Sequence, residues 1–238
     1  KQSQSPSALQ SSLLTMSNTD GEEDRLLPIR LPDEPRTDIP EGLVYPPEYE
    51  GHFEHLLLTK DEIIERTRVM AMSIHNDYRG KRPVLVCVLK GANTFYQHLL
   101  EALQDLKQGY TTEFLRASSY SGVSSTGTVK VGGGIKYEHL KSKHVLLVED
   151  IVDTGTTLLH LIPILQKDVE PMSLEVCTLL EKRLDEPPKV DAKYKGFSIP
   201  NFFIVGYGLD YNELYRDVSD IWTISQKGID FDPSSLPN

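Results

Sequence analysis

The chain has 238 residues, 39% hydrophobic and 25% charged, with a formal net charge of −10, so it has the size and composition of one soluble globular domain with extensions. The negative balance argues against nucleic acid as a partner, and no stretch approaches the roughly 18–20 apolar residues of a membrane-spanning helix. Cys87 and Cys177 each sit in an apolar run and read as reduced, buried side chains of a cytoplasmic protein, which excludes a disulfide-stapled scaffold.

Residues 1–45 are rich in Ser, Gln, Asp, Glu and Pro without periodicity and read as a disordered or loosely packed extension. The opening KQSQSPSALQSSLLTM lacks the continuous apolar core of a secretory signal. Aromatics and leucines in 43–58 mark the start of order. A single domain is expected over 46–230, with a short tail at 231–238. Thr59 followed three positions later by Glu62 forms a capping-box signature, and Ile63, Ile64, Met70 and Ile74 supply an apolar face, so a helix is expected there. PVLVCVL (83–89) is a continuous apolar run that suits a strand buried on both faces. Next come a helix over 92–106, a strand at 112–117 and a polar, glycine-rich loop from 118. A buried strand at 144–148 precedes a helix over 156–167, which Pro163 should kink. Strands at 173–180, 202–208 and 221–225 complete the reading. Apolar strands alternating with helices point to an α/β fold with a mainly parallel sheet.

The segment VLLVEDIVDTGTTL (145–158) carries the most chemistry. An acidic cluster at the end of a buried strand costs desolvation energy unless donors or a cation meet it. Gly155 permits a tight turn, and the amides of 154–157 with the hydroxyls of Thr154, Thr156 and Thr157 suit a phosphate monoester at a helix N-terminus. Glu149 and Asp150 can accept from sugar hydroxyls or meet a magnesium-bound group. A sugar phosphate satisfies both halves. Neither a Walker loop nor a calcium loop has this spacing, and the alternative is a plain acidic helix-capping turn.

This stretch resembles the phosphoribosyl-diphosphate-binding signature of the type I phosphoribosyltransferases. VLKG (88–91), SSY (118–120), LLEKR (179–183) and FFIVGYGLDYNELYRD (202–217) resemble the hypoxanthine-guanine members, in the same order over roughly residues 50–228. The resemblance implies a twisted, mainly parallel sheet flanked by helices, with a small hood contributed by the chain ends. It implies transfer of 5-phosphoribosyl from phosphoribosyl diphosphate to N9 of hypoxanthine or guanine, giving IMP or GMP and pyrophosphate in purine salvage.

By that resemblance Glu149 and Asp150 hold the ribose hydroxyls, and Asp153 is the general base for the purine N7 proton, a role typically contributing ~10²–10⁴-fold. Thr154, Gly155, Thr156 and Thr157 hold the 5′-phosphate. Lys182 faces the purine O6, selecting an oxo over an amino purine. Phe203 stacks on the base, a contact on the order of 1–3 kcal/mol, and Ile204 offers backbone groups to its edge. Asp210, with Glu149 and Asp150, is assigned to Mg2+, and Arg216 to pyrophosphate. Lys90 and Gly91 meet the pyrophosphate through a peptide that can be cis in the family, and Ser119 and Tyr120 belong to a lid over the reacting centre. A homodimer or homotetramer is also implied. The chain departs from the family pattern at Ala92, Ser118 and Thr156, where a second glycine and two lysines are frequent. Two other functions share most of these residues: a xanthine-preferring transferase, and a non-catalytic regulator that senses a phosphoribosyl ligand.

Overall fold

The computed structural model describes residues 26–117, 131–132 and 139–235. Their main sheet has seven strands in the order β1-β8-β7-β6-β3-β4-β5. These are β1 (Ile29–Arg30), β3 (Val84–Leu89), β4 (Thr111–Ala117), β5 (Val131–Gly132), β6 (His144–Val152), β7 (Ser173–Lys182) and β8 (Tyr194–Ile199). Every neighbouring pair is parallel except β4 with β5.

The valine- and leucine-rich strands follow from burial on both faces. Leu85, Cys87, Leu146 and Val148 point into one core with helices α1 (Lys60–Asp77) and α2 (Asn93–Asp105). Val84, Val86, Val88, Val145 and Leu147 alternate onto the other face, against Leu158, Leu161 and Leu165 of α3 (Thr156–Val169). The period-2 geometry of a strand hands each face its own apolar set. Both cysteines are buried and unpaired. The capping box forms as expected: the Thr59 side chain accepts from the Glu62 amide, and the Glu62 carboxylate accepts from the Thr59 amide at 2.9 Å. Helix α3 continues through Pro163 to Val169.

A second, antiparallel sheet forms the hood, in the order β2 (Phe53–Leu58), β10 (Ile221–Ile224), β9 (Ile204–Val205). Its core is aromatic, with Tyr49, Tyr215 and Trp222 buried around Phe53. The short helix α4 (Gln226–Ile229) follows, and Phe231 of the tail lies against the His52 ring at 4.6 Å.

Three expectations are corrected. The strand expected over 202–208 is extended only at Ile204–Val205, because Gly206, Tyr207 and Gly208 all take positive φ and turn the chain. The strand expected to stop at 148 runs to Val152, so Glu149 and Asp150 lie inside β6 rather than beyond it. Residues 26–45 are not merely a loose extension. Leu26 and Leu31 are buried, and Ile29 and Arg30 pair in parallel with Phe197 and Ser198 at the sheet edge. Residues 1–25 lie outside the described residues. Among the described residues, no helix is long and apolar enough to cross a membrane.

Candidate active site

β3 pairs with β6 only as far as Cys87 opposite Val148, whereas β6 stays paired with β7 through Val152 opposite Glu181. A crevice therefore opens between the carboxyl ends of β3 and β6. The chain also winds outward in opposite directions from these two strands, which makes this the switch point where open α/β sheets bind ligands. A cleft of about 550 Å³ occupies it, walled by 88–91, 149–158, Arg116, Asp210, Glu213 and Arg216.

Two glycines let the walls approach. A Cβ on Gly91 would stand 1.7 Å from Asp150 Oδ2, and one on Gly208 would stand 2.5 Å from the Gly91 carbonyl oxygen. Asp150, Gly91 and Gly208 are thus stacked in contact, which only the absence of side chains allows. The Leu89–Lys90 peptide is cis.

Asp150 accepts from the Ile151 amide at 2.9 Å. Burial pushes its carboxyl up to about 6, with Arg216 pulling down and Asp210 pushing further up. Glu149 is 6% exposed, and burial, with the Asp150 charge next to it, raises it well above the usual carboxylate range. Two acids held this way are poised to receive hydroxyl donors or a cation.

The turn after β6 leads directly into the N-terminus of α3. Gly155, at the N-cap of α3, takes φ 72° and has no side chain to cap the helix, and the Thr156 amide donates to the Thr154 hydroxyl at 3.4 Å. Thr154 and Thr156 share a hydroxyl contact at 2.8 Å, and the Lys189 amide donates to the Thr154 carbonyl at 3.2 Å. The amides of the first helical turn and three hydroxyls thus gather at one end of the cleft. Asp153 is half exposed at the mouth, and its Oδ2 lies 3.5 Å from the Lys182 ammonium at the end of β7.

On the opposite wall, Arg216 pairs with Asp210 at 2.7 Å, contacts Glu213 at 3.4 Å and donates to the Gly208 carbonyl at 2.8 Å. Among the described residues its buried Nε has no hydrogen-bond partner. Asp210 also accepts from the Glu213 amide, and Lys90 pairs with Glu213 at 2.6 Å.

The cleft wall thus includes Lys90, Gly91, Glu149, Asp150, Asp153, Thr154, Gly155, Thr156, Thr157, Asp210 and Arg216, and Lys182 joins them through Asp153. Phe203 and Ile204 stand apart, in the hood. Phe203 is 55% exposed with its ring edge-on to Tyr211 at 5.4 Å, and Ile204 pairs in register with Thr223. Ser119 and Tyr120 lie outside the described residues. Among the described residues no three His, Cys, Asp or Glu side chains form a cluster able to hold an ion by themselves. Asp210 is occupied by Arg216 and a backbone amide.

A phosphoribosyl transferase domain model matches residues 57–212. The hypoxanthine-guanine phosphoribosyltransferase of Mus musculus is 36% identical over 202 residues, covering 82% of this chain and 92% of the mouse protein. The chain belongs to the hypoxanthine-guanine phosphoribosyltransferase family. The Homo sapiens member is 35% identical over the same length. Two solved members share the fold. The Schistosoma mansoni enzyme in complex with IMP superposes with a TM-score of 0.72 at 29% identity, covering 86% of this chain and 98% of that one. The Trypanosoma cruzi hypoxanthine phosphoribosyltransferase in complex with the product IMP gives 0.68 at 36% identity, covering 74% and 97%. The fold is that of type I phosphoribosyltransferases, as the sequence motifs implied.

Glu213 was not anticipated from sequence, although it engages both Lys90 and Arg216. An isolated glutamate in YNELYRD has the appearance of a surface charge. Its three-residue spacing from both Asp210 and Arg216 was the available signal, in a turn where Asn212 and Glu213 both take positive φ.

Proposed function

We propose that the chain transfers 5-phosphoribosyl from phosphoribosyl diphosphate to N9 of hypoxanthine or guanine, forming IMP or GMP and releasing pyrophosphate. The observation that carries this reading is the joining, in one cleft, of a buried carboxylate pair and a helix N-terminus with glycine at its N-cap. The first suits a ribose diol and the second a 5′-phosphate, so a phosphoribosyl group is held at both ends.

Glu149 and Asp150 accept from the ribose hydroxyls, and the 153–157 turn takes the phosphate on its amides and threonine hydroxyls. Lys90, the Gly91 backbone and Arg216 meet the diphosphate on the other wall. Arg216 offers a planar donor fork, and its unpartnered Nε is a ready donor. Lys182 donates to the base O6, Phe203 supports the purine face, and Ile204 borders its edge. Ser119 and Tyr120, outside the described residues, are carried over from the family resemblance as substrate-binding residues. As the N9–C1′ bond forms and the C1′–diphosphate bond breaks, Asp153 accepts the N7 proton, and the neighbouring Lys182 ammonium holds that carboxylate in place.

Mg2+ fits the donor set: the cleft carboxylates are hard oxygen ligands, and this ion takes one or two of them together with substrate phosphates and waters. Asp150 and Asp210 would hold it, with Glu149 behind them, and it would offset the charge of the departing diphosphate. The protein works in the cytoplasm, as its two buried thiols suit, and as a homodimer or homotetramer.

The test is pyrophosphate release with Mg2+ and hypoxanthine, guanine, xanthine, adenine or orotate, with Asp153→Asn alongside. Release with hypoxanthine and guanine, reduced by ~10²-fold or more in the variant, is expected. Release with none of the bases by folded protein overturns the reading.

A further inference from the structure

The segment just past β1 makes ionic contacts beyond its two-residue pairing with the sheet. Asp33 pairs with Arg183 at 2.5 Å, and Arg183 also donates to the Leu31 carbonyl at 2.9 Å and the Ser198 carbonyl at 2.6 Å. The Arg183 side chain is only 18% exposed. It directly follows Lys182, the last residue of β7, and its amide donates to the Ile199 carbonyl at 2.8 Å. Three residues further along, Arg36 grips both oxygens of Glu62 at 2.8 and 3.0 Å, with each side chain 11% exposed. Glu62 closes the capping box on Thr59, where the hood strand β2 passes into α1.

Between these anchors the segment spans a cavity of about 240 Å³, whose far wall includes Leu57, Phe202 and Thr223 of the hood. Past Leu31, which is buried and whose amide donates to the Ser198 carbonyl at 2.9 Å, the segment is held by two arginine–carboxylate pairs. One pair sits beside Lys182. The other is at the root of the hood, whose third strand follows Phe203 and whose Ile224 amide donates to the Phe203 carbonyl at 3.2 Å.

We propose that residues 31–38 are a strap that positions the base-recognising end of the site, with Asp33–Arg183 fixing the strand end that presents Lys182 and Arg36–Glu62 fixing the hood that presents Phe203. Neither the strap residues Asp33 and Arg36 nor their partners Arg183 and Glu62 line the phosphoribosyl cleft, so all four are positioning residues. The strap rests on the functional reading above, because it acts through Lys182 and Phe203.

A strap of this kind affects one substrate and spares the other. In the full chain, Asp33→Ala raises KM for hypoxanthine about threefold to tenfold, while KM for phosphoribosyl diphosphate stays within about twofold. Arg183→Lys does the same, since an ammonium cannot hold Leu31, Asp33 and Ser198 together. Asp33→Glu, which keeps the charge, recovers most of the loss. The Asp33→Ala, Arg183→Lys double variant is no worse than the worse single one, because both remove one link. Equal changes in both KM values alongside a fall in melting temperature mark a plain structural role and overturn the strap. Unchanged KM values overturn it too, and leave the enzyme assignment intact. A wild-type protein that is folded yet turns over neither base overturns the functional reading, and the strap with it.

Discussion

Asp150→Asn should make the protein more stable and a poorer enzyme, and the size of the gain follows from the site. A carboxyl that titrates at about 6 in the folded chain, against 3.8 ordinarily, holds its proton more tightly folded than unfolded. At about 1.36 kcal/mol per pH unit, that preference is worth roughly 3 kcal/mol. A raised acid contributes its stability only below the unfolded value and loses it as pH rises through the folded one. Well below pH 3.8 Asp150 is protonated in both states and the asparagine gains nothing, and near pH 4 only a small part of the difference has appeared. By pH 5 about half the difference has appeared, and above about pH 7 it is complete. The amide keeps the carbonyl oxygen that the Ile151 amide donates to, so no partner is lost. Removing the charge also relieves Glu149, which Asp150 pushes upward. Urea unfolding of both proteins in magnesium-free buffer between pH 4.5 and 8 measures this. The variant should gain about 1–3 kcal/mol at pH 7.5 and converge on the wild type towards acid, while losing affinity for phosphoribosyl diphosphate. A variant no more stable at pH 7.5, or one whose advantage grows towards acid, refutes the account of Asp150 as a carboxylate kept in place against its own desolvation.

Two other substitutions probe the opposite wall. Gly208→Ala combines a φ of +96° with a Cβ 2.5 Å from the Gly91 carbonyl. It should cost about 2–4 kcal/mol in urea unfolding and raise KM for phosphoribosyl diphosphate, because Gly91 must move. Glu213→Gln releases Lys90 and weakens one hold on Arg216, so phosphoribosyl diphosphate should bind about twofold to fivefold tighter in equilibrium titration. No change there would mean that Glu213 does not compete for these cations.

What the sequence disclosed depended on how local the physical signal was. The chemistry of 149–157 was legible because charge interrupts an apolar run, which is costly without a purpose. The buried strands were legible because both faces demand apolar residues, and the Thr59–Glu62 cap because its partners are three positions apart. The extent of β6 was not legible: its last four residues are held by β7 alone, and a lost neighbour leaves no mark in the strand's own sequence. Residues 26–45 were misjudged for a similar reason. Their order comes from Arg183 and Glu62, far along the chain, and from a pairing of two residues, too short for any periodicity. The break after Val205 came from three positive φ angles in a row, and the tyrosine between the two glycines concealed it. Tyr207 is held there by its ring stacked on His98, with the hydroxyl 2.5 Å from Nδ1.

The contact of Asp150, Gly91 and Gly208 also divides the molecule for anyone who wishes to alter it. On that wall three segments from distant parts of the chain meet with no room for a single methyl group, so a change in one demands matching changes in two others. A new sugar or leaving group cannot be accommodated there in small steps. The end of the site with Phe203 is built differently, from an exposed ring and a three-stranded hood bordered by a cavity. Substitutions can accumulate there singly. Libraries seeking to widen the range of bases belong on the hood and its strap, with the glycine wall left untouched.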